Sequence, residues 1–236
     1  MKLTLIKKPK NARIIAGFPG FGLVSTIATE FLLEHLKMEK IGTITSDDIP
    51  AMIAVHQGKV VDPIGLFYNK KYNILLVHVV STAMGIEWKL GEVIYDLAKE
   101  LDAKEILSLE GIGSTKPSED TRSFYFASEP SNEKKLKDVS EPLKEGIIMG
   151  LTGVLMLKAH NNIPVTCIFA EAHSELPDSK AAAKIITILD SYIGLKLDPK
   201  PLLEQAEKFE QKLKQMMSQT KEMSEEQRKK RLSYVG

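Results

Sequence analysis

Short apolar runs, each bounded by glycine, proline or polar residues, recur between residues 13 and 170. Their length and composition predict buried strands at residues 13–16, 41–45, 52–55, 60–68, 72–80, 105–109, 123–127 and 165–170. Asn69, Lys70 and Lys71 predict a hairpin turn between the fourth and fifth of these strands. A hairpin adds an antiparallel component to whatever sheet the strands form.

Apolar residues at helical spacing separate several of these strands. The spacing predicts helices over residues 23–36, 87–101, 150–160 and 178–192. Asp178 is a suitable N-cap for the last helix, and Gly194 is suited to end it. Because strands alternate with helices, we expect an α/β domain whose mostly parallel sheet is covered on both faces.

The pattern changes after Asp198-Pro199, an N-cap residue followed by proline at the first helical position. Apolar residues then follow spacings of four and three at Leu202, Ala206, Phe209, Leu213, Met216, Thr220 and Met223. We therefore expect a core domain of residues 1–197 and a C-terminal helical arm with a tail, residues 198–236. A fully helical arm would reach about 50 Å. A lone apolar stripe is marginal in water, so the arm should contact the core, another copy or a partner protein.

The composition of the chain bears on its partners and on its location in the cell. Lys and Arg number 32 and Asp and Glu 31 in 236 residues, and the resulting net charge of +1 favours neither nucleic acid nor an anionic membrane as partner. Cys167 is the one cysteine, so no intramolecular disulfide forms and a cytoplasmic location is expected. No apolar run approaches the roughly 20 residues that span a bilayer.

Gly17-Phe18-Pro19-Gly20-Phe21-Gly22, here called the glycine turn, lies between a predicted strand and a predicted helix. Such a junction can hold an anion. Residues 20–25 nearly match the dinucleotide fingerprint, with Ser25 in place of the third glycine, and Asp47 follows the next strand, where a ribose-binding acid would lie. The alternative is a tight turn that packs the helix against the sheet.

Two further sets imitate catalytic or metal sites. Ser81, Tyr95 and Lys99 imitate a dehydrogenase Ser/Tyr/Lys set, but chance accounts for such a match and it falls too early in the chain. Glu171, His173 and Glu175 imitate a metal or acid–base cluster, yet alternate residues of a strand lie nearly 7 Å apart, roughly twice the strand rise per residue. We interpret that segment as a solvated strand end.

The remaining histidines and the cysteine show no ligand spacing. These are His35, His56, His78 and His160, of which His78 is interpreted as a satisfied core histidine, and Cys167 is interpreted as core. No nucleophile, base and orienting group emerge as a set, so we expect no enzymatic activity, no cofactor and no metal.

The C-terminus combines charge with apolar and aromatic residues. The candidate docking residues are Arg228, Lys229, Lys230, Arg231, Leu232, Tyr234, Val235 and Gly236. The basic cluster is suited to an acidic partner surface, and an apolar tail beside a free carboxylate is suited to a pocket. The alternatives are cations at a helix C-terminus and a frayed chain end.

Several separated segments carry a family resemblance. Residues 17–24, Gly17-Phe18-Pro19-Gly20-Phe21-Gly22-Leu23-Val24, resemble the opening motif of the archaeal proteasome-assembly-chaperone homologues. Asp47-Asp48-Ile49-Pro50, Glu110-Gly111-Ile112-Gly113, Gly150-Leu151-Thr152-Gly153 and residues 164–182 resemble its later segments in the same order. The resemblance covers nearly all of residues 10–200.

This resemblance implies a three-layer α/β/α core of the phosphorylase/hydrolase-like kind and a homo-oligomer that binds the α subunits of the 20S proteasome. It implies an assembly chaperone homologue or an ATP-independent activator with C-terminal helical arms. Proteasome activators often end in a hydrophobic residue, tyrosine and any residue, whereas here Tyr234 is third from the end and follows Ser233. Two other classes remain open: a small-molecule or nucleotide-binding enzyme that uses the glycine turn, and an oligomeric scaffold.

Overall fold

The structure is a computed structural model that describes residues 1–49, 53–56, 58–81, 84–113, 120–159, 161–174 and 176–206. Its strands are β1 (Lys2–Leu5), β2 (Arg13–Gly17), β3 (Glu39–Thr45), β4 (Ala54–His56), β5 (Lys59–Val61), β6 (Ile64–Asn69), β7 (Ile74–Val79), β8 (Glu105–Gly113), β9 (Ser123–Ala127), β10 (Glu141–Pro142) and β11 (Val165–Ala172). Its helices are α1 (Val24–His35), α2 (Glu87–Glu100), α3 (Pro130–Leu136), α4 (Gly150–Ala159) and α5 (Ser179–Ile193).

Nine of these strands form one sheet in the order β1-β3-β6-β7-β2-β8-β11-β9-β10, and β4 pairs with β5 in a separate hairpin. The central strands β7, β2, β8 and β11 are parallel to one another. The β1, β3 and β6 strands continue the sheet in antiparallel pairing on one side, and β9 pairs antiparallel with β11 on the other. The predicted α/β class is confirmed.

Neighbouring residues of the central strands enter two separate cores. Ile14 packs in the core beneath α2 and α4, whereas Ile15 packs in the core beneath α1, α3 and α5. Successive strand side chains point to opposite faces, so near-continuous apolar runs such as 74–77 supply both cores at once. The result is a three-layer α/β/α architecture. Within the described part of the chain, no helix has the length and apolar content needed to cross a membrane.

Three elements have no counterpart in the hydrophobic pattern. The edge strand β1 alternates exposed and half-buried residues, β10 is exposed, and α3 buries only Leu136. The predicted strand at residues 60–68 is divided between β5 and β6, because Asp62 and Pro63 interrupt it. The Pro63 carbonyl instead accepts a hydrogen bond from the Val80 amide at 3.0 Å.

The beginning of the arm lies against the core. Residues 200–206 are helical, and Leu202 and Ala206 are 2% and 4% exposed. Leu202 belongs to the same apolar core as α1 and α5. The first turns of the arm are thus anchored, while the predicted seam from Phe209 onward lies outside the described residues.

Candidate functional site

The central parallel strands end together at one edge of the sheet, here called the carboxyl edge. The glycine turn follows β2 at this edge, and β8 and β11 extend beyond β2, since Gly17 pairs with Leu109 while Gly113 pairs with Ala172. Ligand sites of open α/β sheets occupy the crevice outside the carboxyl ends of the strands. A ligand site is therefore expected at this edge.

The glycine turn is packed between β11 and α5. Gly22 has a φ of 64° and Leu23 a φ of 48°, and residues 21–23 form one 3₁₀ turn before α1. A Cβ atom on Gly22 would lie 2.7 Å from the Ala172 Cβ atom. The Gly22 carbonyl accepts a hydrogen bond from the Asp178 amide at 2.8 Å. These contacts favour the interpretation of a packing turn.

The start of the turn is held just as closely to α1. A Cβ atom on Gly17 would lie 2.2 Å from the Thr29 Cγ2 atom, and the Phe18 amide donates to the Ser25 hydroxyl at 3.2 Å. Ser25, which stands in place of the third glycine of the dinucleotide fingerprint, therefore fixes the glycine turn through its own hydroxyl.

Asp47 is not placed to act as the ribose-binding acid of a nucleotide site. The match of residues 20–25 and Asp47 to the dinucleotide fingerprint is therefore not supported by the sheet order. Strand β3, which precedes Asp47, is separated from β2 by β7 and β6, whereas a ribose-binding acid follows the strand adjacent to the turn. The neighbouring Asp48 pairs with Lys89 at 2.8 Å, and this pairing lowers the pKa of the Asp48 carboxyl.

A cavity of about 470 Å³ opens at the carboxyl edge, between the end of β8 and the start of α4. Its walls are mostly apolar, with Phe21, Ile112, Leu143, Ile148, Met149 and Phe169 among the lining residues. Glu110 is the one ionisable residue among the described residues that line it. A mostly apolar cavity with few polar groups is the usual form of a small-ligand site.

Glu110 is kept largely out of water on the face of β8 that α4 covers. Burial raises the pKa of its carboxyl to about 7, although a hydrogen bond from Thr152 opposes the rise. The Thr152 hydroxyl also lies 2.8 Å from the Ser108 hydroxyl, so Ser108 donates to Thr152 when Thr152 donates to Glu110. The buried Glu110 Oε2 atom has no hydrogen-bond partner among the described residues.

Sequence reasoning did not identify Glu110 as a site residue. Its signal was an acidic residue directly after the mostly apolar run 106–109, followed by Gly111 and Gly113. A carboxyl group at that point is unusual, because charged side chains are rarely buried without a partner.

A second buried carboxylate lies at the opposite, amino end of the strands. Glu105 is 1% exposed and contacts the Arg13 guanidinium, the Tyr192 hydroxyl at 2.8 Å, the Thr166 hydroxyl at 3.1 Å and the Asn132 amide at 3.0 Å. Burial raises the pKa of the Tyr192 phenol, and the charge of Glu105 raises it further. Since these partners satisfy Glu105, we interpret this network as structural.

His78 and Cys167 lie where the sequence analysis placed them, in the core. His78 is fully buried, with Nδ1 2.9 Å from the Thr29 hydroxyl and Nε2 3.0 Å from Glu30 Oε2. Cys167 is fully buried as well, and burial raises the pKa of its thiol, with the nearby Glu110 adding to the effect.

In the first imitated motif, Ser81 is buried whereas Lys99 is exposed. Tyr95 and Lys99 contact each other, with the ammonium 5.5 Å from the ring centroid. His173 Nδ1 lies 3.2 Å from Asp178 Oδ2, whereas Glu171 lies 3.9 Å from Arg122 and so faces a different group. Glu175 is outside the described residues, as is His160. No three His, Cys, Asp or Glu side chains in the described ranges are grouped so as to hold a metal ion.

All eight candidate docking residues, Arg228, Lys229, Lys230, Arg231, Leu232, Tyr234, Val235 and Gly236, lie outside the described residues. Their role as a docking element stays a prediction from the sequence.

Comparison with known proteins gives a consistent assignment. Residues 14–217 match the PAC2 family. An uncharacterized protein of Methanocaldococcus jannaschii is 27% identical over 227 residues, which cover 96% of this chain and 94% of that protein. The match therefore extends over nearly the whole length of both chains.

Solved structures share the fold across the same length. PbaA of Pyrococcus furiosus, an archaeal homolog of proteasome-assembly chaperone, superposes with a TM-score of 0.84 at 27% identity, covering 97% of each chain. PbaB of Pyrococcus furiosus, an archaeal proteasome activator, has a TM-score of 0.77 at 19% identity and covers 92% of this chain and 98% of its own. At that identity the second match is evidence for the fold alone.

Proposed function

The chain belongs to the PAC2 family, and on that basis we propose that it binds the 20S proteasome as an assembly chaperone homologue or an ATP-independent activator. The observation that supports this most is the full-length likeness to PbaA, in fold and in sequence together. A protein with this role works in the cytoplasm and needs no cofactor.

Docking would use the C-terminal arm. Residues 228–231 carry four positive charges, which speed encounter with an acidic surface and make binding sensitive to salt. Tyr234 and the apolar residues beside it would then enter pockets between proteasome α subunits. Leu202 packs in the apolar core, so the start of the arm is anchored to the core domain.

Self-association would multiply these contacts. Met84, Trp88, Met149 and Leu157, in or just before α2 and α4, are between 61% and 83% exposed, and we call them the α2/α4 surface. Clustered exposed apolar side chains are typical of interaction surfaces. We propose that copies of the chain associate through this surface into a closed homo-oligomer. Several tails on one oligomer raise the effective concentration of each, so weak single contacts suffice.

The enzymatic alternative has less support. Gly22 is packed against Ala172 and bonded to the Asp178 amide, which leaves the glycine turn engaged by the protein itself. No nucleophile and base lie within reach of one another at the cavity among the described residues, where Glu110 is the one ionisable group. Binding is therefore proposed rather than turnover.

Deletion of residues 224–236 tests the proposed docking element. We expect the truncated protein to keep its fold and its oligomeric state but to lose binding to an archaeal 20S particle in a pull-down or by surface plasmon resonance. A control variant, Lys134→Ala with Lys137→Ala, removes two exposed positive charges from α3 and its end and should bind normally. Binding of the truncated protein at full strength would show that the arm is not the docking element.

A further inference from the structure

Among the described residues, the cavity at the carboxyl edge contains a carboxyl group without a counter-charge. Glu110 Oε2 is buried without a hydrogen-bond partner in the described part of the chain, and no lysine, arginine or histidine is among the described residues that line the cavity. An unpaired carboxylate in such a place is costly. Either a proton or a cation that enters from outside must neutralise it.

The elements around the cavity that the structure describes supply no such cation. On β11, Cys167 is a neutral thiol in the core and Glu171 lies beside Arg122, which also contacts Glu141 at 3.1 Å. The first turn of α4 contributes the neutral Thr152 hydroxyl, and the glycine turn contributes the Phe21 ring. Further along α4, Lys158 is paired with Glu92 at 3.0 Å.

The shape of the cavity suits an apolar stem. Phe21 and Phe169 line it together with Leu143, Ile148 and Met149, and its volume of about 470 Å³ accommodates a small organic molecule or one long side chain. A cation with little apolar surface, such as a hydrated metal ion, would leave these walls unused.

We propose that this cavity binds a primary ammonium group carried on an apolar stem, with Glu110 as its counter-ion. The ammonium replaces the proton on the carboxyl, and the stem lies between the aromatic and aliphatic walls. Such a group occurs in small free amines and in lysine side chains of polypeptides, which share the recognised chemistry. This inference concerns the carboxyl edge and does not depend on proteasome binding by the arm.

Calorimetric titration of the full chain with 2-phenylethylamine at pH 8 tests the proposal. We expect saturable binding of the amine and at least about tenfold weaker binding of 2-phenylethanol, which has the same ring but no charge. Glu110→Gln should weaken amine binding to the level of the alcohol. Glu171→Gln, a carboxyl change on β11 two residues beyond Phe169, the strand partner of Glu110, should leave it unchanged.

The pH dependence of the affinity for the amine, measured on the wild-type protein, gives a second test that does not need the variant. Affinity should rise as the pH increases from 6 to 8, because Glu110 loses its proton near pH 7 while the amine stays charged. In Glu110→Gln the affinity should be flat over this range. Titration with Nα-acetyl-lysine N-methylamide distinguishes the sources: tighter binding than phenylethylamine indicates a polypeptide, and weaker binding a free amine.

Three results would overturn the proposal: no amine binding at millimolar concentration, equal binding of amine and alcohol, or unchanged affinity in a folded Glu110→Gln protein. Thermal unfolding of each variant verifies its fold. The amine–alcohol comparison on the wild-type protein remains decisive if the variant does not fold.

Discussion

A Cβ atom on Gly111 would lie 2.1 Å from the carbonyl oxygen of Phe21, so the glycine turn rests directly on the backbone of β8. Neither group can move away by changing a rotamer, because one is a strand Cα and the other a turn carbonyl. Glycine at position 111 is therefore what allows β8 to extend beneath the turn.

Gly111→Ala should destabilise the protein by about 3 kcal/mol, the upper part of the range for overpacking, since the turn must shift to admit the methyl group. Gly113→Ala is the matched control: its Cβ would be 3.4 Å from the Phe21 ring, an ordinary contact. Chemical denaturation of both variants measures the difference. Equal stability of the two would mean that the turn adapts without cost.

Glu110 should make stability fall with rising pH. The folded protein keeps this proton to about pH 7, whereas the unfolded chain releases it near the ordinary value of 4.5. Because the folded state binds more protons between these values, the free energy of unfolding decreases across the window, by up to about 3 kcal/mol.

Glu110→Gln is neutral at every pH, so it should lack this decrease and be more stable than wild type at pH 8. Urea unfolding at pH 5 and pH 8 compares the two. Glu92→Gln, on the exposed side of α2, should follow the wild-type profile. An identical pH profile in Glu110→Gln would contradict the assignment.

Glu105→Ala should cost about 3–5 kcal/mol, because it leaves the Arg13 guanidinium and the Tyr192 hydroxyl without their shared buried partner. Glu39→Ala removes a carboxylate 2.6 Å from Lys7 on the surface and should change stability by about 1 kcal/mol or less. Thermal and urea unfolding of Glu105→Ala and Glu39→Ala test whether burial of the carboxylate determines how much stability is lost. A small effect at position 105 would show that water enters the network.

Trp88→Ala should weaken self-association by removing the largest side chain of the α2/α4 surface. Multi-angle light scattering at micromolar concentration should then show a shift toward the 26.3 kDa monomer. Ile6→Ala changes a more exposed apolar residue just after β1 and should leave the oligomer intact. A monomeric wild-type protein at this concentration would contradict the proposed oligomer.

Tyr234→Ala should weaken proteasome binding less than deletion of residues 224–236, since the basic cluster remains. Raising the salt concentration should weaken the Tyr234→Ala protein further by screening residues 228–231. Surface plasmon resonance on immobilised 20S particles at two salt concentrations measures both effects. Loss of binding equal to the deletion would assign docking to the tyrosine alone.

Much of the local structure could be predicted from the chain because the signals are local. Asp178 caps α5 through a 2.9 Å hydrogen bond from the Ala181 amide, and Gly194 ends it with a φ of 71°. Ser123–Ala127 is a strand with the predicted bounds. By contrast, β1 has a half-exposed pattern that no periodicity distinguishes from a loop, and it forms only by pairing with β3.

Some features of the candidate site could likewise be predicted from the sequence, and others could not. The sequence by itself determined that the glycine turn follows a strand and that His78 and Cys167 belong to the core. Strand order could not be read from it, because pairing depends on contacts between residues far apart in the chain. Only the tertiary structure placed β7 and β6 between Asp47 and the turn, and only it closed a cavity around Glu110 by packing α4 against β8. A carboxyl pKa is set by that enclosure, since desolvation depends on every element that excludes water.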